Sequence, residues 1–344
     1  MKLAAEKNLN KFAFPVLNLK GKQITYPVNI NYHTWGFGCG KGIFGPKNWM
    51  ILDILGTYAI HQSYNNTHGG KIEFKDRIPT SKDKRVESIS GMYMSNELLK
   101  FVFKGHQGFD DGILPDYLYN GETALIKDPG TNYKRIKKVI SIKVNDGNLK
   151  KQLPFLKKYS SVQLQEIIKQ TAECNIIMNY PVRFFNGRNF QNFAFNNYNR
   201  PSRFFTIVKI DNAKLSKHGH VLEREYEIRF DTLLGYFFIQ NCLSCYTDLV
   251  PGKFYLMSDY AQLFHRMLIL PYYNNIKNPV GIDEIKKRLA LKTKDTYMVR
   301  KTVKRIMDEL ESNAFIKEPK EGKVYGKYAY SYVKNDWKEI NNES

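Results

Sequence analysis

Acidic residues are scarce in this 344-residue chain: 33 Asp and Glu stand against 53 Lys and Arg, a formal net charge of +20. So much like charge opposes compaction unless a polyanion neutralises it, which points to nucleic acid first and to a membrane surface second. Long hydrophobic runs are missing as well. The most apolar stretches, "WMILDILGTYAI" and "LLGYFFIQNCL", are shorter than the roughly 20 residues a bilayer-spanning helix needs, and polar residues interrupt both. The opening "MKLAAEKNLNK" has no apolar core of a secretory signal, so no membrane partner and a cytoplasmic location are expected. Cys39, Cys174, Cys242 and Cys245 are too few for a disulfide framework, which fits a reducing compartment. Cys242-x-x-Cys245 lacks the second pair of a tetrahedral zinc site, so two thiols buried on an apolar helix are expected, and no metal.

Apolar residues make up 42% of the chain and aromatic residues 14%, which together specify a folded protein long enough for two domains. The most informative stretch is 255–333. Ser258 can cap a helix, "SDYAQLFHRMLIL", in which Tyr260, Leu263, Phe264, Met267 and Leu268 recur at helical spacing until Pro271 stops it. "VGIDEIKKRLAL" gives a second helix with Ile282, Ile285 and Leu289 as its apolar stripe. A third helix lies between Lys294 and Asn313, with Val299, Val303, Ile306 and Leu310 on one arc. Lys294, Tyr297, Lys301, Lys304 and Arg305 fall on the opposite side, with Arg300 on the flank. "FIKEP" then runs extended, "KEGK" reads as a reversal, and "VYGKYAYSYV" returns as an alternating strand, a wing tipped by Lys320 and Lys323. Three helices and a hairpin in this order make a winged helix. A basic third helix with a basic wing is the pattern of a protein that reads double-stranded DNA.

The rest of the chain reads as α+β. "QITYPVNINYHTW" is a strand, and "KNWMILDILGTYAIHQ" is a helix over 47–62 that buries Ile51, Leu52, Leu55, Tyr58 and Ala59. Between them, Gly40, Gly42 and Gly45 spell G-x-G-x-x-G. Trp35 stands where a Walker loop needs Gly, and Gly42 stands where it needs Ser or Thr, so the stretch is read as a glycine loop leading to Pro46, with no nucleotide cofactor. "KIEF" reads as a strand, "MSNELLKFVFKG" as a helix and "YKRIKKVISIKV" as a strand ending in the turn "NDGN". "LKKQLPFLKKYSS" marks a boundary before a helix that starts at Ser160 or Ser161, and a boundary there divides the chain into 1–152 and 153–344. Further strands follow in "NIIMNYPVRFFNG", "FQNFAFNNYNRPSRFFTIVKID" and "VLEREYEIRFD", then a helix in "DTLLGYFFIQN". His218 and His220 could ligate the metal of a nicking endonuclease, but they lie in a polar turn rather than on a central strand, so no catalytic residue is assigned. The Arg and Phe alternation of 183–205 suits either stacking on unpaired bases or a sheet core, and the core is the simpler account.

"YEIRFDTLLGYF", "FYLMSDYAQLFHRMLIL", "GIDEIKKRLAL" and "DTYMVRKTVKRIMDELESN" together resemble the C-terminal winged helix of theta-type, iteron-binding plasmid or phage replication initiators. The likeness covers about residues 225–320. It implies two winged-helix-like domains in tandem, 1–152 for dimerisation and secondary DNA contact and 153–344 for origin repeats, with residues 294–305 as the recognition helix. It also implies recruitment of a host initiator and helicase. The Gly-rich 36–45 and the "PYYNN" in 271–280 depart from that pattern. A winged-helix transcriptional regulator and a rolling-circle-type nicking endonuclease are the alternatives.

Overall fold

The computed structural model describes residues 2–7, 25–30, 33–38, 45–65, 119–120, 123–126, 134–138, 140–174, 179–185, 190–196, 203–230, 235, 238–239, 242, 247–270, 279–289 and 291–335. Both helices and strands occur among these residues, so the fold is α+β. In chain order the strands are β1 (Lys2–Glu6), β2 (Thr25–Ile30), β3 (His33–Gly38), β4 (Tyr119–Asn120), β5 (Thr123–Ile126), β6 (Lys134–Lys138), β7 (Ile140–Asn145), β8 (Asn179–Phe185), β9 (Phe190–Asn196), β10 (Thr206–Leu215), β11 (Val221–Phe230), β12 (Thr247–Pro251), β13 (Val280–Gly281), β14 (Ile316–Val324) and β15 (Lys327–Lys334). The helices are α1 (Pro46–Asn65), α2 (Asp146–Gln152), α3 (Ser161–Glu173), α4 (Asp259–Phe264), α5 (Ile282–Arg288) and α6 (Thr296–Ser312).

α1 starts as its sequence suggests, with Pro46 in the first turn and the Asn48 side chain accepting the Gly45 N–H at 2.8 Å. It is buried on more than the one expected face: Asp53, Thr57 and His61 lie inside along with Trp49, Ile51, Leu52, Leu55 and Ile60. Its neighbours explain this. Ala4 of β1 donates its N–H to Thr57 Oγ1 at 2.7 Å, and Asn48 Nδ2 donates to Thr171 Oγ1 of α3 at 2.8 Å. A Cβ on Gly56 would stand 2.7 Å from Cys242 Sγ, so only glycine admits this approach. Cys242 is a buried free thiol, whereas Cys174 is disulfide-bonded, which corrects the expectation of reduced cysteines throughout.

Two pairings join early chain to late chain. β1 pairs antiparallel with β12, and its Leu3, Ala4 and Ala5 are fully buried. β7 pairs with β11, which pairs with β10, giving a sheet whose inner face carries Ile142, Val144, Tyr226, Ile228 and Phe230. The expected turn "NDGN" is instead a helix start: Asn145 caps α2 by accepting the Asn148 N–H. α3 opens with a reciprocal capping box between Ser160 and Gln163. The boundary expected at 152/153 thus lies between residues that share a sheet and a continuous core running from Leu3 to Tyr332. The expected helix in 94–105 and the strand "KIEF" lie outside the described residues, as does most of the Gly-rich loop; Gly36 and Gly38 belong to β3.

The C-terminal unit runs α4, β13, α5, α6, β14, β15, with the sheet in the order β13-β15-β14. Ser258 caps α4, which continues as a π-helical turn over His265–Ile269, and residues 261–270 are buried on every side. α5 buries Ile282 and Ile285, with Leu289 just beyond its end, as its spacing predicts. β13, two residues long and absent from the sequence reading, closes the sheet against β15. Among the described residues no helix is long and apolar enough to cross a membrane.

Candidate nucleic-acid interface

α6 is fixed at both ends and along one face. Asp295 caps it by accepting the Tyr297 N–H at 2.8 Å, and Val299, Val303, Ile306, Met307 and Leu310 are buried against the rest of the unit. Near its C-terminus the Glu309 carboxylate accepts both the N–H and the hydroxyl of Ser258, tying α6 to the start of α4. With that face pinned, Tyr297, Lys301, Lys304 and Arg305 point to solvent, and Lys294 is exposed just before the cap. Carried further at 100° per residue, the same face meets the exposed Asp308 and Glu311. Its positive charge therefore belongs to the N-terminal turns, where the helix dipole adds to it.

The hairpin reverses later than the sequence reading has it. β14 runs through "KEGK", where Gly322 pairs opposite Ala329, and the turn is Tyr325–Gly326, with φ of 50° and 76°. A type I′ hairpin needs positive φ at both central positions, which Tyr325 and Gly326 supply, whereas Gly322 is paired inside the ladder. Lys320 and Lys323 are therefore strand residues and not the tip. Lys320 lies opposite Ser331 and Lys323 opposite Tyr328, so strand alternation puts the two lysines on opposite faces. Lys320 Nζ is 3.2 Å from Glu318, while Lys323 Nζ lies 5.1 Å from the centre of the Tyr328 ring.

Arg300, placed by its spacing on the flank of the basic face, is already engaged. Its Nη2 and Nε donate to Glu321 Oε1 at 2.6 and 3.2 Å, Tyr330 donates its hydroxyl to Glu321 Oε2 at 2.8 Å, and the guanidinium sits 3.9 Å from the centre of the Tyr328 ring. The Arg300 bond, helped by Tyr330, holds the Glu321 carboxyl below its usual range, and burial together with Glu321 pushes the Tyr330 phenol up. The clamp locks the hairpin to α6. What remains on the outer face is Tyr297, Lys301, Lys304 and Arg305 on the helix, Lys294 before it, and Lys323 beside it.

Other sequence candidates lie elsewhere. His218 and His220 are exposed in a turn closed by Ser216, whose hydroxyl accepts both of their N–H groups. Among the described residues no group of three or more His, Cys, Asp or Glu is placed to hold a metal ion. Of the aromatic-rich 183–205, Phe204 and Phe205 are core residues, which favours the sheet-core account for that end of it.

A second polar constellation has no counterpart in the sequence reading. Asp53 of α1 is ion-paired with Arg266 of the π-helical turn and accepts the Tyr255 hydroxyl at 2.7 Å, while the guanidinium lies 5.3 and 5.2 Å from the ring centres of Trp49 and Phe254. Burial pushes the Asp53 carboxyl up and Arg266 pulls it back in part; for Arg266 the same burial is outweighed by Asp53 and Tyr255 together, so the guanidinium keeps its charge. The available signal was one charge inside each of two apolar runs, "WMILDILG" and "FHRMLIL", since a buried charge needs a partner.

No family model matches the chain. No curated protein matches it. Among solved structures it is similar to domains 2 and 3 of RctB, seen in a crystal structure of selenomethionine derivatives, with 10% sequence identity, a TM-score of 0.41 and coverage of 95% of this chain and 96% of that one.

Proposed function

We propose that the C-terminal unit is a winged helix that binds double-stranded DNA, and that the protein is a replication initiator acting at origin repeats. One observation carries the DNA-binding reading: α6 buries its apolar face while the basic N-terminal half of its other face stands exposed beside a hairpin that it clamps. A helix with that asymmetry enters a major groove with its first turns foremost. Tyr297, Lys301, Lys304 and Arg305, with Lys294, are the groups that meet DNA; Lys323 adds phosphate contact from the hairpin, and Lys320 reaches DNA only on its other side. Arg300 acts through Glu321 by holding the hairpin in place.

The initiator reading rests on the resemblance of residues 225–320 to iteron-binding initiators. A transcriptional regulator could use the same exposed face, so the test must separate the two. Selection of duplex DNA by the purified full chain is expected to return a short sequence that recurs at an origin, and a plasmid carrying that origin is expected to replicate only when the protein is supplied. Selection of isolated promoter sites, with no origin dependence, would assign the regulator instead. A homodimer, with a host initiator and helicase as further partners, completes the proposal. No catalytic residue is part of it; metal-dependent strand cleavage lost in a His218→Ala, His220→Ala double variant would overturn that point.

A further inference from the structure

At the hairpin tip Tyr325 and Gly326 both take positive φ, 50° and 76°, as a type I′ turn requires. Asn or Asp before Gly is the usual choice there, because a short polar side chain tolerates the left-handed region and a bulky one strains against its own backbone. Tyr325 is also fully exposed, at 101% of its reference surface, so its ring buries nothing that would offset the strain. Neither term in folding favours this residue at this place. Val324 beside it is 38% exposed, and Lys323 flanks the turn on β14, while Lys327 on β15 is paired with Asp283 at 3.0 Å.

An aromatic ring held out beside a lysine suits the flat face of a nucleobase with a phosphate next to it. A single ring is far smaller than the roughly 800 Å² that each partner gives to a specific protein interface. Reach agrees with this. The hairpin is fastened to α6 at Glu321, four residues before Tyr325. At roughly 3.3 Å per residue the tip projects about 13 Å beyond that point. The major groove is about 12 Å wide, so a helix seated in it carries the tip past the rim to the adjoining minor groove.

We propose that Tyr325 sets its ring against a base step in the minor groove of duplex DNA, next to the segment that α6 reads. The ring partly unstacks that step, and Lys323 neutralises a phosphate at its edge. This rests on the DNA-binding reading above and adds to it the tip contact.

The test compares full-length Tyr325→Asn and Tyr325→Trp variants with the parent. The probes are the selected duplex, one strand of it, and vesicles of phosphatidylcholine with phosphatidylserine. Asn relieves the left-handed strain, so the Asn variant is expected to unfold at a higher temperature than the parent while binding the duplex about tenfold more weakly. A purely structural tyrosine cannot give both shifts at once. The Trp variant is expected to keep parental affinity, and its tip fluorescence to be quenched by the duplex. Equal duplex binding by the parent and the Asn variant overturns the proposal, as does quenching by the single strand or by vesicles but not by the duplex. A parent that binds no duplex at all overturns the DNA-binding reading itself, which is a different and separately visible failure.

Discussion

The same three chemical groups occur twice in this protein in opposite surroundings. Asp53, Arg266 and Tyr255 meet in the interior with side chains 2% and 1% exposed for the ion pair, and the guanidinium lies close to the rings of Trp49 and Phe254. Glu321, Arg300 and Tyr330 meet on the surface with the ion pair 31% and 34% exposed, and the guanidinium rests on Tyr328. In the interior the charges are mutually required, because neither can fall back on water when the other is removed. On the surface water and salt screen the pair, so its worth lies in geometry rather than in energy. The inner set fastens α1 to the segment that continues α4, and the outer set fastens a hairpin to α6.

The largest effect comes from breaking the inner set on one side. Asp53→Ala or Arg266→Ala is expected to lower stability by about 3–5 kcal/mol in chemical denaturation, since each strands a buried charge. Replacing both with apolar residues, Asp53→Leu with Arg266→Met, is expected to destabilise less than either single change. A double variant as damaged as the sum of the singles would show that the two residues do not act as a pair.

The outer set is sharpened by DNA. Replacing Tyr297 or Lys301 by Ala is expected to cost about 1–3 kcal/mol on the selected site and to relax preference at particular base pairs. Lys304→Ala is expected to reduce the slope of log affinity against log salt by about one ion. Arg300→Gln is expected to weaken binding with the slope unchanged, because its charge is already spent on Glu321. A drop in slope for Arg300→Gln equal to that of Lys304→Ala would place Arg300 on a phosphate and break the distinction.

Acid separates the two environments again. Burial, with Lys334 and Arg266 adding to it, holds the His265 imidazole well below its ordinary 6.5. The unfolded chain therefore binds a proton there that the folded chain refuses, so stability is expected to fall as pH drops below about 6.5 and to level off above it. His265→Phe, next to Phe254 and Phe315, is expected to flatten that part of the curve in thermal melts across pH. An unchanged slope in the variant would remove His265 from the account.

The smallest effect is expected at Glu321→Gln, with less than about 1 kcal/mol lost from global stability. The hairpin should still loosen locally, as faster amide exchange in β14 and β15. A large global loss there would mean that the surface set behaves like the buried one.

Much of the C-terminal unit was legible along the chain. Periodicity located α4, α5 and α6, Ser258 marked its cap, and the stripe of Val299, Val303, Ile306 and Leu310 chose the buried face and left the basic face by subtraction. The hairpin was legible in kind and misplaced in register. Gly322 carries a turn signal in sequence, yet it lies in a ladder, and Tyr325 does not look like a turn residue until the pairing of Val324 with Lys327 assigns it. Arg300 was legible as a flanking cation and not as a tethered one, because its partners come 21 or more residues later on a different element.

Local sequence by itself determined what depends on near neighbours: helix caps, apolar stripes, strand alternation, the excess of positive charge and the side of α6 that carries it. Tertiary structure alone decided what depends on distant groups sharing one space. It made Lys2–Glu6 a core strand against β12, buried α1 on faces that its own pattern left polar, and supplied Arg266 to Asp53 across 213 positions of chain. A charge inside an apolar run states only that a partner must exist. Which partner it is, and whether water reaches the pair, follows from the packing that excludes solvent around Asp53 and leaves it around Glu321.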